Sequence, residues 1–166
     1  MNTNINIRFA NASDVPAMVT ILNQAVQARM NGSLKEFTHE DRMSWFKNFN
    51  SETYPIYVAE VNGSVVGYCY LSPYRPGRQA MAKVAEISYY IHFDYHRKGI
   101  ASKLIMHAIN DCKRVKKDSL LAILLDTNDA SVAILKKFGF EKWGHYPNII
   151  DLDGHICGQL IYGRKL

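Results

Sequence analysis

Glu86 stands near the start of a β-rich run, Glu86-Ile87-Ser88-Tyr89-Tyr90-Ile91-His92, that leads through Phe93-Asp94-Tyr95 into a basic turn, His96-Arg97-Lys98-Gly99-Ile100-Ala101. A strand feeding a basic, small-residue helix start is a seat for a phosphate. The first N–H groups of a helix lack intrahelical partners, and the dipole adds partial positive charge there. Gly99 lets the backbone approach a ligand, Ala101 keeps the helix entrance clear of bulk, and Arg97 and Lys98 add charge. The carboxylate upstream on the same strand is placed to take a proton near whatever the phosphate tethers. Anchor and base on one continuous strand point to group transfer from a phosphorylated carrier. By the strand period of two, Glu86, Ser88 and Tyr90 share one face. Ala85, Ile87, Tyr89 and Ile91 share the other, which is apolar apart from one phenol and so packs on helices. A plainer reading stands beside this one: Glu86 as an ion-paired strand residue and the turn as an ordinary basic loop.

The elements that would position these groups follow from periodicity. Ile5 to Phe9 alternates like a short strand, and Ser13 or Asp14 can cap a helix that runs to about Arg29 with Pro16 in its first turn. Thr38 with Asp41 forms a capping box for a helix carrying Met43, Phe46 and Phe49. Ile56 to Val61 and Val65 to Leu71 are strands joined at Asn62-Gly63-Ser64, a hairpin signal. Tyr74 to Arg78 is a loop, Val84 to His92 a strand, and Ile100 to Cys112 a helix. Leu120 to Leu125 is uniformly apolar, as in a strand buried on both faces. Asn128 and Asp129 can cap a helix from Ser131 to Phe138 that stops at Gly139. Trp143 to Tyr146 and His155 to Ile161 are the last strands, separated by Asp153-Gly154. The order describes an α/β domain on a mixed sheet, without linker or repeat.

With 166 residues and 48% hydrophobic content, the chain can bury one core. No apolar run approaches the about 18 residues of a membrane span. Residues 1–8 lack the apolar stretch of a signal peptide. Cys69, Cys112 and Cys157 are far apart with no CxxC spacing, which argues for a reducing compartment and against a disulfide frame or a zinc site. The net charge of +5 attracts anionic ligands. The cluster Lys113-Arg114-Val115-Lys116-Lys117 reads as a solvated loop leaving a helix C-terminus.

Taken together, these segments resemble the GCN5-related N-acetyltransferase superfamily. Its phosphate loop, Gln/Arg-x-x-Gly-x-Gly/Ala, is matched by Gly99 and Ala101, with His96 in place of the usual first residue. Its second signature, Asn-x-x-Ser before a helix ending in Gly-Phe, is matched by Asn128, Ser131, Gly139 and Phe140. Arg8, residues 14–17, Trp45-Phe46 and Gly67-Tyr68 also sit where such proteins have similar residues. The run Glu86-Ile87-Ser88-Tyr89-Tyr90-Ile91 is similar to the phosphinothricin and methionine-sulfone acetyltransferase branch, whose strand reads Glu-x-Ser-x-Tyr-Val. The resemblance implies one N-acetyltransferase domain over residues 1–166, with a mixed, mostly antiparallel sheet flanked by helices. It also implies acetyl-CoA as co-substrate without a metal, a small-molecule amine as acceptor, a cytoplasmic location and a homodimer.

Carried onto this chain, the family pattern makes Glu86 the general base, either directly or through water. Tyr89, Tyr90 and Ile91 supply N–H groups to the oxyanion and carrier. Arg97, Lys98, Gly99, Ile100, Ala101 and Ser102 hold the pyrophosphate, and Asn128 and Ser131 border the pantetheine arm. Phe37, Arg75 and Ser88 border the acceptor, with Arg75 as partner for its carboxylate. Many relatives place a Tyr or His acid where this chain has Leu135; Tyr90 and Tyr146 are the substitutes, although core or rim packing with a hydrogen-bonded phenol is the favoured reading of each. Residues 145–154 depart from the Arg-rich tail of several branch members, which leaves polyamines and protein N-termini open as acceptors. A different class, a non-catalytic module holding CoA or nucleic acid, lacks aromatics interleaved with residues 113–117 and lacks any helix-turn-helix or zinc pattern.

Overall fold

Alternating residues near the start of the chain form β1 (Asn6–Phe9), and the helical spacing after it forms α1 (Val15–Gln27). The structure, a computed structural model, describes residues 4–166, so the part of the signal-peptide reading that rests on residues 1–3 lies outside it. Asn11, not Ser13 or Asp14, provides the cap here. Its side chain accepts from the Ser13 N–H at the head of a short 3-10 turn, Ala12–Asp14, and Asp14 accepts a bond from the Asn11 N–H. The Asp14 carboxylate is turned back toward Asn11 and Arg8, which leaves it unable to cap α1.

Thr38 and Asp41 exchange the expected reciprocal bonds at the start of α2 (His39–Phe46), and Phe49 falls beyond its end. Asn62 and Gly63 both take positive φ, 50° and 80°, which matches the twist of a two-residue hairpin between β2 (Ile56–Val61) and β3 (Ser64–Pro73). There follow β4 (Val84–Ile91), α3 (Ile100–Asp111), β5 (Ser119–Leu125) and α4 (Asp129–Lys137). The last hairpin, β6 (Glu141–Leu152) and β7 (His155–Lys165), is longer than the sequence predicts. Register shifts at Trp143 and across residues 147–149 break the alternation of β6. Glycines on β7 admit its side chains: a Cβ at Gly163 would lie 1.9 Å from the Trp143 ring.

Seven strands form one sheet in the order β1-β2-β3-β4-β5-β7-β6, and every neighbouring pair is antiparallel except β4 and β5. This is the mixed, mostly antiparallel α/β fold that the sequence predicts. One face packs on α3 and α4, with Ala85, Ile87, Leu104, Ile105, Leu120 and Leu135 in a common core. The opposite face packs on α1 and α2, with Met18, Ile21, Leu22, Val58 and Tyr68. Leu104 and Ile105 of α3 are fully buried. Burial contributes about 1.5–3 kcal/mol for each such side chain. The bond that Tyr57 donates to Asp111 at 2.6 Å contributes about 1 kcal/mol net. Packing therefore fixes α3 and the turn at its start.

Lys117 corrects the reading of the basic cluster as a solvated loop. It is buried, its Nζ donates to the Ala82 carbonyl at 2.8 Å, and it lies over the Tyr54 ring. Its apolar stem covers the core edge, while Lys113, Arg114 and Lys116 stay exposed.

At the edge of the sheet, Arg8 pairs with Asp14 at 2.8 Å and Glu60 at 2.9 Å, tying β1, β2 and the approach to α1 together. Burial acts to raise the Asp14 pKa, but hydrogen bonds from Arg8 and the Asn11 N–H hold it below its ordinary 3.8. A carboxylate depressed in the folded state contributes stability above its unfolded pKa and loses it as pH falls through the folded value. Asp14→Asn should therefore lower Tm at neutral pH, with a loss of about 1–3 kcal/mol in stability. The gap to wild type should close as pH falls below 3.8 and through the lowered folded value. A gap that persists unchanged in acid would mean that the charge of Asp14 is not what stabilises this corner.

Candidate active site

The parallel pairing of β4 and β5 covers only Val84 with Ser119, Ala85 with Leu120 and Glu86 with Leu121. Beyond Glu86 the strands diverge, since β5 stays paired with β7 through Leu125. The His92 N–H donates to the Val66 carbonyl across β3 at 2.9 Å. Alternation along the strand then turns the N–H groups of Ser88 and Tyr90 toward β3 and those of Tyr89 and Ile91 into the opening. Tyr90 is thereby removed from the expected set of N–H donors, although the residue still borders the cavity while its side chain packs on the opposite face. Tyr89 and Ile91 are left as two backbone donors facing a gap.

The gap widens into a cavity of about 340 Å³ bordered by Tyr89, Ile91, Arg97, Gly99, Asn128 and Ser131. A narrower recess of about 80 Å³ continues between the strands, bordered by Ser88, Tyr89, Asn128, Ser131 and Leu135. Gly99 caps α3 at φ 79°, and Arg97 before it has φ 59°. A Cβ at Gly99 would touch nothing within 4 Å. What selects glycine there is its positive φ and the open approach to the helix N–H groups, rather than packing. Ile100, Ala101 and Ser102 border the same cavity. Lys98 does not; its ammonium lies over the Tyr95 ring, 4.7 Å from the centroid. His96 braces the turn against β4, since its Nε2–H donates to the Ile91 carbonyl at 3.0 Å. The Asn128 Oδ1 accepts from the Ser131 N–H at 3.1 Å, so Asn128 caps α4 and also borders the cavity.

Glu86 lies at the foot of the divergence, half-buried, on the face shared with Ser88 and Tyr90 as predicted. It is not part of the lining of either cavity. Burial raises its pKa above its ordinary 4.5, which makes it a stronger base than a solvated glutamate. Across β3, Ser72 stands opposite Glu86 and Tyr70 opposite Ser88. The Tyr90 hydroxyl accepts from Asn31 Nδ2 at 2.8 Å.

Arg42, which sequence reasoning missed, completes this face. Its guanidinium sits 3.6 Å from the Trp45 ring centroid and 5.2 Å from that of Phe37. Its charge opposes the rise that burial imposes on the Tyr68, Tyr70 and Tyr90 phenols. Among the described residues, the fully buried Tyr68 hydroxyl has no hydrogen-bond partner of good geometry. Arg42 and Trp45, three apart on α2 with Phe37 ahead of the cap, were the available signal. Phe37 is thus half-buried under Arg42, whereas Arg75 is exposed on the loop after β3 and makes no side-chain bond among the described residues.

This arrangement is that of a known family. The model of the acetyltransferase (GNAT) family matches residues 21–140. YwnH of Bacillus subtilis, named as a candidate phosphinothricin acetyltransferase, is 35% identical over 98% of this chain and 99% of its own length. An L-methionine sulfoximine/L-methionine sulfone acetyltransferase of Salmonella typhimurium is 27% identical over 87% of this chain and 85% of its own. The structure of yncA, a candidate acetyltransferase of Salmonella typhimurium with its cofactor acetyl-CoA, superposes with TM-score 0.91 at 26% identity. That superposition covers 98% of this chain and 94% of the other.

Gly99→Val should weaken binding of acetyl-CoA by about tenfold or more, because a β-branched residue resists φ near 79° and blocks the helix N–H groups. Calorimetry on folded protein checks this, and unchanged affinity would remove the turn from the binding site. Asn128→Ala should raise the acetyl-CoA KM and also cost about 1 kcal/mol of stability as a lost cap. A stability loss with no change in KM would leave Asn128 only its structural role.

Proposed function

Since the chain belongs to the acetyltransferase (GNAT) family, we propose that this N-acetyltransferase moves the acetyl group of acetyl-CoA to the primary amine of a small amino acid or analogue. Phosphinothricin and methionine sulfone, the compounds for which its relatives are named, define the acceptor class. The observation that carries this reading is the pair of unpaired N–H groups at Tyr89 and Ile91, midway between the Gly99 turn and Glu86. The pyrophosphate of the co-substrate sits on the N–H groups of residues 97–102. The thioester then enters the divergence of β4 and β5. Its carbonyl oxygen turns toward the Tyr89 and Ile91 N–H groups, which stabilise the oxyanion formed on attack.

An ammonium has no lone pair, so the acceptor must lose a proton first. Glu86, raised by burial, takes it directly or through water. Ser88, Phe37 and two guanidinium groups, Arg42 from α2 and Arg75 from the loop after β3, border the acceptor and give an acidic group its partner. The whole chain acts as one domain. Three free, buried cysteines suit a reducing cytoplasm. The exposed Trp143, Tyr146, Ile149 and Ile156 on the last hairpin favour a homodimer.

Following thiol release from acetyl-CoA with phosphinothricin, methionine sulfone, a polyamine and an alanine-terminated peptide tests the reading. The amino-acid analogues should be turned over best; preference for the polyamine or the peptide would overturn the acceptor class. Glu86→Gln should lower kcat by about 10²–10⁴ at neutral pH, with partial recovery as pH rises and free amine accumulates. A pH–rate profile unchanged by that substitution would move the base to water or another residue.

A further inference from the structure

Attack on a thioester forms the C–N bond and breaks the C–S bond, and the electron pair of the broken bond stays on sulfur. Few groups in the divergence of β4 and β5 can meet that charge. Leu135, on the α4 side, is 0% exposed and apolar. Asn128, whose Oδ1 accepts from the Ser131 N–H and holds the side chain at the start of α4, has only its amide Nδ2–H2 to offer. Tyr90 projects to the opposite face of β4 and is engaged with Asn31. Tyr146 lies on β6, 48% exposed, and borders neither cavity.

Tyr89 differs from all of these. Its side chain packs on the α3 and α4 face of the sheet, and the residue borders both the larger cavity and the narrow recess, as Ser131 does. The same residue offers its backbone N–H to the gap, so its two donors flank one place. We propose that Tyr89 is a catalytic residue whose phenol donates a hydrogen bond to the departing sulfur. This rests on the acetyltransferase reading above.

Burial pushes the Tyr89 phenol up to about 12, against a partial lowering by Ser131. A thiol ionises near about 8.5. The proton therefore stays on the phenol throughout. Glu86 takes the ammonium proton and passes it to solvent before attack, then takes the second proton from nitrogen as the adduct collapses, and the thiolate takes its proton from solvent on release. Tyr89 then stabilises the leaving group by a hydrogen bond, which suits a group whose thiolate is already a tolerable product.

CoA alone reads out this role without any acceptor. The thiolate of bound CoA is titrated by its ultraviolet absorbance in wild type and in Tyr89→Phe, a change that removes the hydroxyl and keeps the ring. Wild type should hold the bound thiol about one pKa unit or more below free CoA. Tyr89→Phe should return it to the free value. With acetyl-CoA and an amine, the same variant should lose about tenfold or more in kcat with little change in KM. The loss should shrink when an acetyl thioester of a more acidic thiol replaces acetyl-CoA. Identical titrations in two proteins that both bind CoA would overturn the role of Tyr89 and leave the acetyltransferase reading standing. Failure of wild type to bind CoA would overturn the acetyltransferase reading itself.

Discussion

The constraint on which the site depends is that β4 can pair with β5 for three residues and no further. A sheet interior normally satisfies its backbone groups with a neighbour, and a buried N–H without one costs about 1–3 kcal/mol. Here β5 follows β7 over its whole length, from Ser119 to Leu125, and draws away from β4. The N–H groups of Tyr89 and Ile91 are left to whatever enters the gap. A ligand carrying carbonyl oxygens completes the sheet there.

The remaining elements hold that gap open and place charge at its two ends. Helix α3 must cross over the sheet to make β4 and β5 parallel. Its burial through Leu104, Ile105 and Ala108 fixes the Gly99 turn at the mouth. Gly67 lets this happen closely: a Cβ there would fall 2.8 Å from the Ile91 side chain and 3.2 Å from that of Ile100. His96 ties the turn back to the Ile91 carbonyl. Helix α4 starts at the capped Asn128 and forms the far wall. On the other face, α1 and α2 cover the sheet and bring Arg42 close to the aromatic surface of β3. The Gly99 turn, the N–H groups of Tyr89 and Ile91, and Glu86 thus follow one another along β4 and its continuation into α3.

Much of this was legible in the residues. The Asn62-Gly63 hairpin, the Thr38 capping box and the β4 face parity depend on neighbours within a few positions, so sequence carries them. The same holds for Gly99 and Asn128, each at a helix start. What the sequence did not carry depends on distant partners. Asp14 failed to cap because Arg8 and Asn11 held its carboxylate. Lys117 was buried by the Ala82 carbonyl and the Tyr54 ring. Strand β6 lost its alternation to bulges that only β7's glycines accommodate. Arg42 acquired its place when α2 docked on β3. The side on which each β4 N–H points, and so the difference between Tyr89 and Tyr90 as donors, required the His92–Val66 bond.

Amide hydrogen exchange along β4, with and without acetyl-CoA, tests the central claim most directly. In the free protein the N–H groups of Tyr89 and Ile91 should exchange much faster than those of Ser88 and Tyr90, which β3 already holds. Acetyl-CoA should slow Tyr89 and Ile91 selectively, together with residues 99–102 at the start of α3. Equal protection of Tyr89 and Tyr90 before ligand is added, or ligand protection confined to other strands, would contradict the account.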